Sequence, residues 1–66
     1  MYKIKYRWPG EQVWYWVSRD GVTKVGDRAG YFSLFDALGH IERICRVDAR
    51  ITTEMVEVLG NPTIKQ

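Results

Sequence analysis

The stretch "VWYWVSRDG", Val13 to Gly21, sets three aromatic rings on consecutive residues and then turns. A β-strand points successive side chains to opposite faces, so an extended chain here shows large aromatics on both faces at once. Its neighbours supply the context. Upstream, "YKIKYRW" alternates strictly, with Tyr2, Ile4, Tyr6 and Trp8 on one side and Lys3, Lys5 and Arg7 on the other, as in a half-buried strand. "PGEQ" between the two runs is a turn, because Pro9 presets φ and Gly10 supplies φ > 0. "SRDG" fits a type I turn followed by a glycine bulge, a loop of Arg19, Asp20 and Gly21, and "VTKVG" is then a short third strand.

The segment "GDRAGYF" is irregular and glycine-flanked, and it leads into a helix from Leu34 to about Arg46. Ser33 is its N-cap, Asp36 completes a capping-box pattern beside the positive end of the helix dipole, and Phe32 is placed to staple onto Ala37. Leu34, Ala37, Leu38, Ile41, Ile44 and Cys45 fall on one arc about 120° wide, with Asp36, His40 and Arg43 opposite. The tail "DARITTEMVEVLGNP" reads as a fourth strand from Ala49 to Leu59, although Thr52 as cap and Gly60 as stop would also frame a two-turn helix. "GNPTIKQ" reads as a frayed end. The expectation is an α+β fold in the order β-β-β-α-β: an antiparallel sheet of three or four strands with one α-helix packed on one face, residues 1–66 forming a single domain.

Hairpin arithmetic sorts the strand residues. A first loop of two or four residues puts Tyr6 on the face of Val13, Ile4 with Tyr15, and Tyr2 with Val17. A three-residue second loop then sets Tyr15 opposite Val25 and Trp16 opposite Lys24. Tyr2, Ile4, Tyr6, Val13, Tyr15, Val17 and Val25 make one apolar face for the helix stripe. Lys3, Lys5, Arg7, Trp14, Trp16 and Lys24 make the other, where cation–π contacts of about 0.5–1 kcal/mol each hold the indoles. An odd first loop would turn the Trp pair inward and still leave Lys3, Lys5 and Arg7 beside an aromatic.

Composition bounds the chemistry. At this length, burial at about 25 cal/mol per Å² is nearly cancelled by about 1.5 kcal/mol of lost entropy per ordered residue, so the margin comes from dense aromatics or a partner. Cys45 is the only cysteine, which excludes an internal disulfide; one Cys with one His cannot complete a zinc site. No metal and no cofactor are expected, and a lone thiol points to a reducing, cytoplasmic compartment. Secretory and membrane-spanning runs are missing, and the opening Met1 suggests an independently encoded chain. Net charge is +2, unevenly spread: residues 1–31 carry six Lys/Arg against three Asp/Glu, and residues 32–66 carry four against five. The basic half is the aromatic half. The pI near 8.9 falls just short of the value of about 9 that marks dedicated nucleic-acid domains.

Enzyme chemistry finds no footing. Ser18, Ser33, His40 and the Asp residues have no spacing that positions a triad, and so small a chain has little room for a water-excluding pocket. "GDRAG" lacks the Gly-Lys-Ser/Thr ending of a phosphate loop. His40 reads as an exposed helix residue partnered to Asp36, and Cys45 as a small apolar core residue.

From Trp14 to Arg46, the aromatic strand, the Asp20–Gly21 turn, the lead-in "GYFS" and the helix "LFDALGHIERI" resemble the YegP-like family of small bacterial proteins, which implies a fold unit rather than an activity. The same stretch is similar to three-stranded-sheet DNA binders of the ethylene-response-factor and integrase arm-binding types. That resemblance implies a sheet laid in the major groove by Lys3, Arg7, Trp14, Trp16 and Lys24, although the central strand here has few arginines. In general make-up the chain is similar to mobile-element inhibitors, anti-CRISPR proteins among them.

Two explanations of the basic-aromatic face compete: burial by the fourth strand or by a second copy in a homodimer, and a surface for a different partner, since Trp, Tyr and Arg dominate interface hot spots. The expectation drawn is a small non-enzymatic, inhibitor-like binding protein of phage or mobile-element type. It docks on a bacterial protein or nucleoprotein complex through Lys3, Lys5, Arg7, Trp14, Trp16 and Lys24, with no membrane involvement. Direct DNA or RNA binding by the same face is the alternative.

Overall fold

A computed structural model describes residues 1–59. The alternating run forms β1 (Tyr2–Arg7), the aromatic run β2 (Tyr15–Ser18), and the segment after the tight turn β3 (Gly21–Thr23). A 3₁₀ turn (Gly26–Arg28), the helix α1 (Leu34–Val47) and β4 (Thr52–Glu57) complete the order. The sheet is antiparallel, four-stranded, and ordered β3-β2-β1-β4. The Ile/Thr/Val-rich tail is therefore the fourth strand and not a helix; the frayed end expected from Gly60 onward lies outside the described residues.

Pro9 and Gly10 make the first turn as expected. Gly10 takes φ 79 and Glu11 N–H donates to Trp8 C=O at 3.1 Å, a type II geometry. Tyr6 then faces Tyr15 and Lys5 faces Trp16. The pairing has the expected parity, so the two faces of β1 and β2 sort as the sequence implies. The second hairpin differs. Its loop is Arg19–Asp20 alone, with Ser18 facing Gly21, Val17 facing Val22 and Trp16 facing Thr23. Neither loop residue has positive φ; Gly21, at φ 152, absorbs the mismatch from within the strand. That one-residue change reverses the parity of β3.

β1 and β2 pair only as far as Lys5–Trp16, and beyond that point they fork. The segment Gly30–Phe32 fills the fork. Gly30 N–H donates to Val17 C=O (3.0 Å), and Tyr2 and Phe32 exchange two backbone bonds of 2.7 and 2.8 Å. A Cβ on Gly30 would stand 3.1 Å from the Phe32 ring, so only glycine fits comfortably there. Arg19 fastens the insertion from the β2–β3 turn, donating to Tyr31 C=O at 2.7 Å with its guanidinium over Phe32.

The core joins Ile4, Val17, Phe32 and Ala37, with Tyr2, Tyr6, Ile41, Ile44 and Met55 packed around them. Ser33 Oγ caps α1, accepting from Asp36 N–H at 3.2 Å. The helix is rotated relative to the expected stripe. Ala37 is fully buried, the His40 ring rests 4.7 Å from Phe32, and Leu34 and Leu38 are half exposed. A small side chain at the closest approach lets the helix settle over Ile4 and rolls the two leucines outward. His40 accordingly lies toward the sheet, with Arg43 as its polar neighbour at 3.5 Å, and is not an exposed partner of Asp36. Val13 and Val25, expected in the apolar face, are 42% and 50% exposed. At the helix end Arg50 grips Asp48 through both carboxylate oxygens (3.1 and 2.9 Å), which holds that carboxyl below its ordinary pKa.

Candidate functional site

The face of the sheet away from α1 collects side chains from three strands. β1 contributes Lys3, Lys5 and Arg7. Trp14, one residue before β2, and Trp16 within it lie beside them, and β4 adds Thr52, Glu54 and Val56 opposite Arg7, Lys5 and Lys3. Five of the six residues expected to form one patch thus lie together.

Lys24 does not join them. With Thr23 opposite Trp16, the next residue points to the helix side, and the Lys24 ammonium sits 5.8 Å from the ring of Tyr15, which is stacked on Tyr6. The cause is the shorter second loop. On that inner face, burial first and the neighbouring Tyr15 second push the Tyr6 phenol above its ordinary pKa.

Within the patch the two indoles have different surroundings. The 3₁₀ turn lies against Trp16: a Cβ on Gly26 would stand 3.1 Å from Cε2 of that indole. Lys3 ties the turn down, donating to Gly26 C=O at 3.1 Å while its ammonium lies 5.9 Å from the Trp16 ring and 5.4 Å from Tyr31. Trp14 instead has cations as its recorded partners. Lys5 Nζ is 4.5 Å and Arg7 Cζ 4.9 Å from its ring centroid. Such contacts hold a half-buried indole in place on the sheet.

Charge is unevenly available. Lys5 pairs with Glu54 at 3.4 Å, and Lys3 is committed to the Gly26 carbonyl. Arg7 has no ion-pair partner among the described residues. Arg7 is therefore the least committed cation of the patch, and with Trp14 and Lys5 it forms a half-buried cluster bordered by the Glu54 carboxylate.

Ser18 Oγ donates to Asp20 Oδ1 within the hairpin turn, and the His40 ring lies against Phe32. Among the described residues no three His, Cys, Asp or Glu side chains gather as metal ligands would, and no helix is long and apolar enough to cross a membrane. Tyr6, Trp8, Ile44, Val47 and Ile51 line a shallow apolar dimple of about 80 Å³, the size of a side chain.

Two features escaped the sequence reading. Glu54 was visible as a strand residue, but its place beside Lys5 follows only from the β1–β4 register. Phe35 is 85% exposed next to Leu34 and Leu38; its position about 120° from the centre of the helix stripe is the available signal. Compared with protein-family models, curated proteins and solved structures, the chain has no match, and the resemblances over Trp14–Arg46 rest on their own residues.

Proposed function

We propose that the chain is a small non-enzymatic binding protein, inhibitor-like in acting by occupancy, that docks on a larger protein through Trp14 with Arg7 and Lys5. The observation that carries this reading is the Trp14 indole with the Lys5 and Arg7 cations against its ring, on the sheet face that the helix leaves uncovered. An anchored aromatic ring loses little entropy on binding, and adjacent cations steer toward carboxylates and pair with them. The partner surface that fits is apolar at its centre and acidic at its rim.

Nucleic acid fits this face less well. Continuous phosphate contact needs a run of available cations. Here Lys3 is engaged by the Gly26 turn, Lys5 is shared with Glu54, and Lys24 lies on the other face. A single uncommitted Arg7 gives a shallow salt slope and weak affinity.

The test is direct. Peptides displayed as a random library are selected on the immobilised protein, and random duplex and single-stranded DNA are titrated at two salt concentrations. The reading expects acidic, apolar-centred peptides whose binding Trp14→Ala or Arg7→Ala reduces by about tenfold or more. Micromolar DNA binding that collapses with salt and disappears in Lys5→Glu would instead establish the nucleic-acid reading.

A further inference from the structure

The sheet has two edges of unequal length. β3 closes one with three residues, and β4 closes the other with six. Every residue of β4 has a β1 partner, from Thr52 opposite Arg7 to Glu57 opposite Tyr2, and among the described residues no strand lies on its other side. In an antiparallel ladder alternate residues aim both backbone groups away from the neighbour, so about half of the N–H and C=O groups of β4 face outward. Exposed edges are ordinarily protected by lysine, proline or a bulge. "TTEMVE" contains no lysine or proline, and its register against β1 runs without interruption.

The chemistry such an edge accepts can be read from its existing partner. β1 meets it with lysine opposite Glu54 on the outer face and with Tyr2 and Ile4 opposite Glu57 and Met55 on the helix face. β4 itself carries two carboxylates and no cation. Pairing β4 with the β4 of a second copy brings no cation to either carboxylate, and a register that sets Glu54 or Glu57 opposite its own counterpart places like charges across the ladder. A strand bearing lysine or arginine removes that conflict. We infer that the free edge of β4 takes an extended, cationic segment of a partner protein as a fifth strand, with backbone bonds supplying affinity and Glu54 and Glu57 selecting the charge. This inference does not rest on the Trp14 patch, although Glu54 also pairs with Lys5 at its border.

Nuclear magnetic resonance titrations of the isotope-labelled chain test it with three short peptides: alternating lysine and valine, alternating glutamate and valine, and the lysine peptide methylated at alternate backbone nitrogens. The lysine peptide should shift the Thr52–Glu57 amides, slow their hydrogen exchange and bind at least about tenfold more tightly than the glutamate peptide. Backbone methylation should abolish binding, and Glu54→Gln combined with Glu57→Gln should erase the charge preference while the spectrum stays folded. Equal binding of both charges, or no response at β4, overturns the inference. So does concentration-dependent dimerisation with exchange protection at β4, which would assign the edge to a second copy.

Discussion

Trp14 and Trp16 share one pleat of the sheet two residues apart, and their surroundings differ. Trp16 lies under the Gly26–Arg28 turn, which Lys3 holds in place. Trp14 has the charged ends of Lys5 and Arg7 over it, Lys5 also lying 5.4 Å from the Trp16 ring, and both indoles are half-buried. In a chain of 66 residues the core is too thin to waste a large ring, and the turn that covers Trp16 extends apolar packing to the second face of the sheet. The same aromatic strand thus supplies one ring sealed by the turn and, in the function proposed above, one for recognition. Which ring does which is set by a segment that neither strand contains.

The largest expected effect breaks this comparison most easily. Trp16→Ala should cost about 3 kcal/mol of stability in urea unfolding, as for a packed aromatic; Trp14→Ala should cost about 1 kcal/mol, the value of its cation–π contacts. Equal losses would mean that both rings are structural. Next, Gly26→Ala places a methyl 3.1 Å from the Trp16 ring and should cost about 1–2 kcal/mol, with a change in near-ultraviolet circular dichroism from the displaced indole. A neutral outcome would show that the turn does not seal Trp16. A double-mutant cycle on Lys5→Ala and Glu54→Ala should give a coupling of about 0.5 kcal/mol that fades with salt, since Glu54 is about half exposed.

The smallest effect concerns the opposite pleat. The Tyr6 phenol is raised from 10.0, so the folded state keeps its proton to higher pH than the unfolded chain does. Its contribution is fully present below pH 10 and is lost as pH rises through the folded value. The wild-type chain should lose stability above that pH more steeply than Tyr6→Phe; parallel curves would deny the burial of this hydroxyl.

The sorting of the sheet into two faces was legible because it depends on parity, and parity survives a register shift of two. Tyr6 pairs with Tyr15, yet Lys3, Lys5, Arg7, Trp14 and Trp16 still share a side. Lys24 was misplaced because "SRDG" admits two loop lengths, and Gly21 takes a strand position instead of a loop position. The helix was legible through Ser33 and its period, but its rotation was not. Hydrophobicity favours Leu34 and Leu38, whereas close approach favours Ala37 and ring stacking favours His40. The insertion of Gly30–Phe32 between β1 and β2 left only the glycine-flanked "GDRAGYF" as a trace, because its partners are distant in sequence.

The central claim, that Trp14 is the recognition anchor and Trp16 the ring sealed by the Gly26–Arg28 turn, is tested most directly by following the three indole N–H resonances while a selected acidic peptide is added. The account predicts a large shift of Trp14, loss of binding in Arg7→Ala and unchanged binding in Phe35→Ser, with Trp16 nearly still. Shifts centred on Leu34 to Leu38, or a Trp16 response as large as that of Trp14, would contradict it.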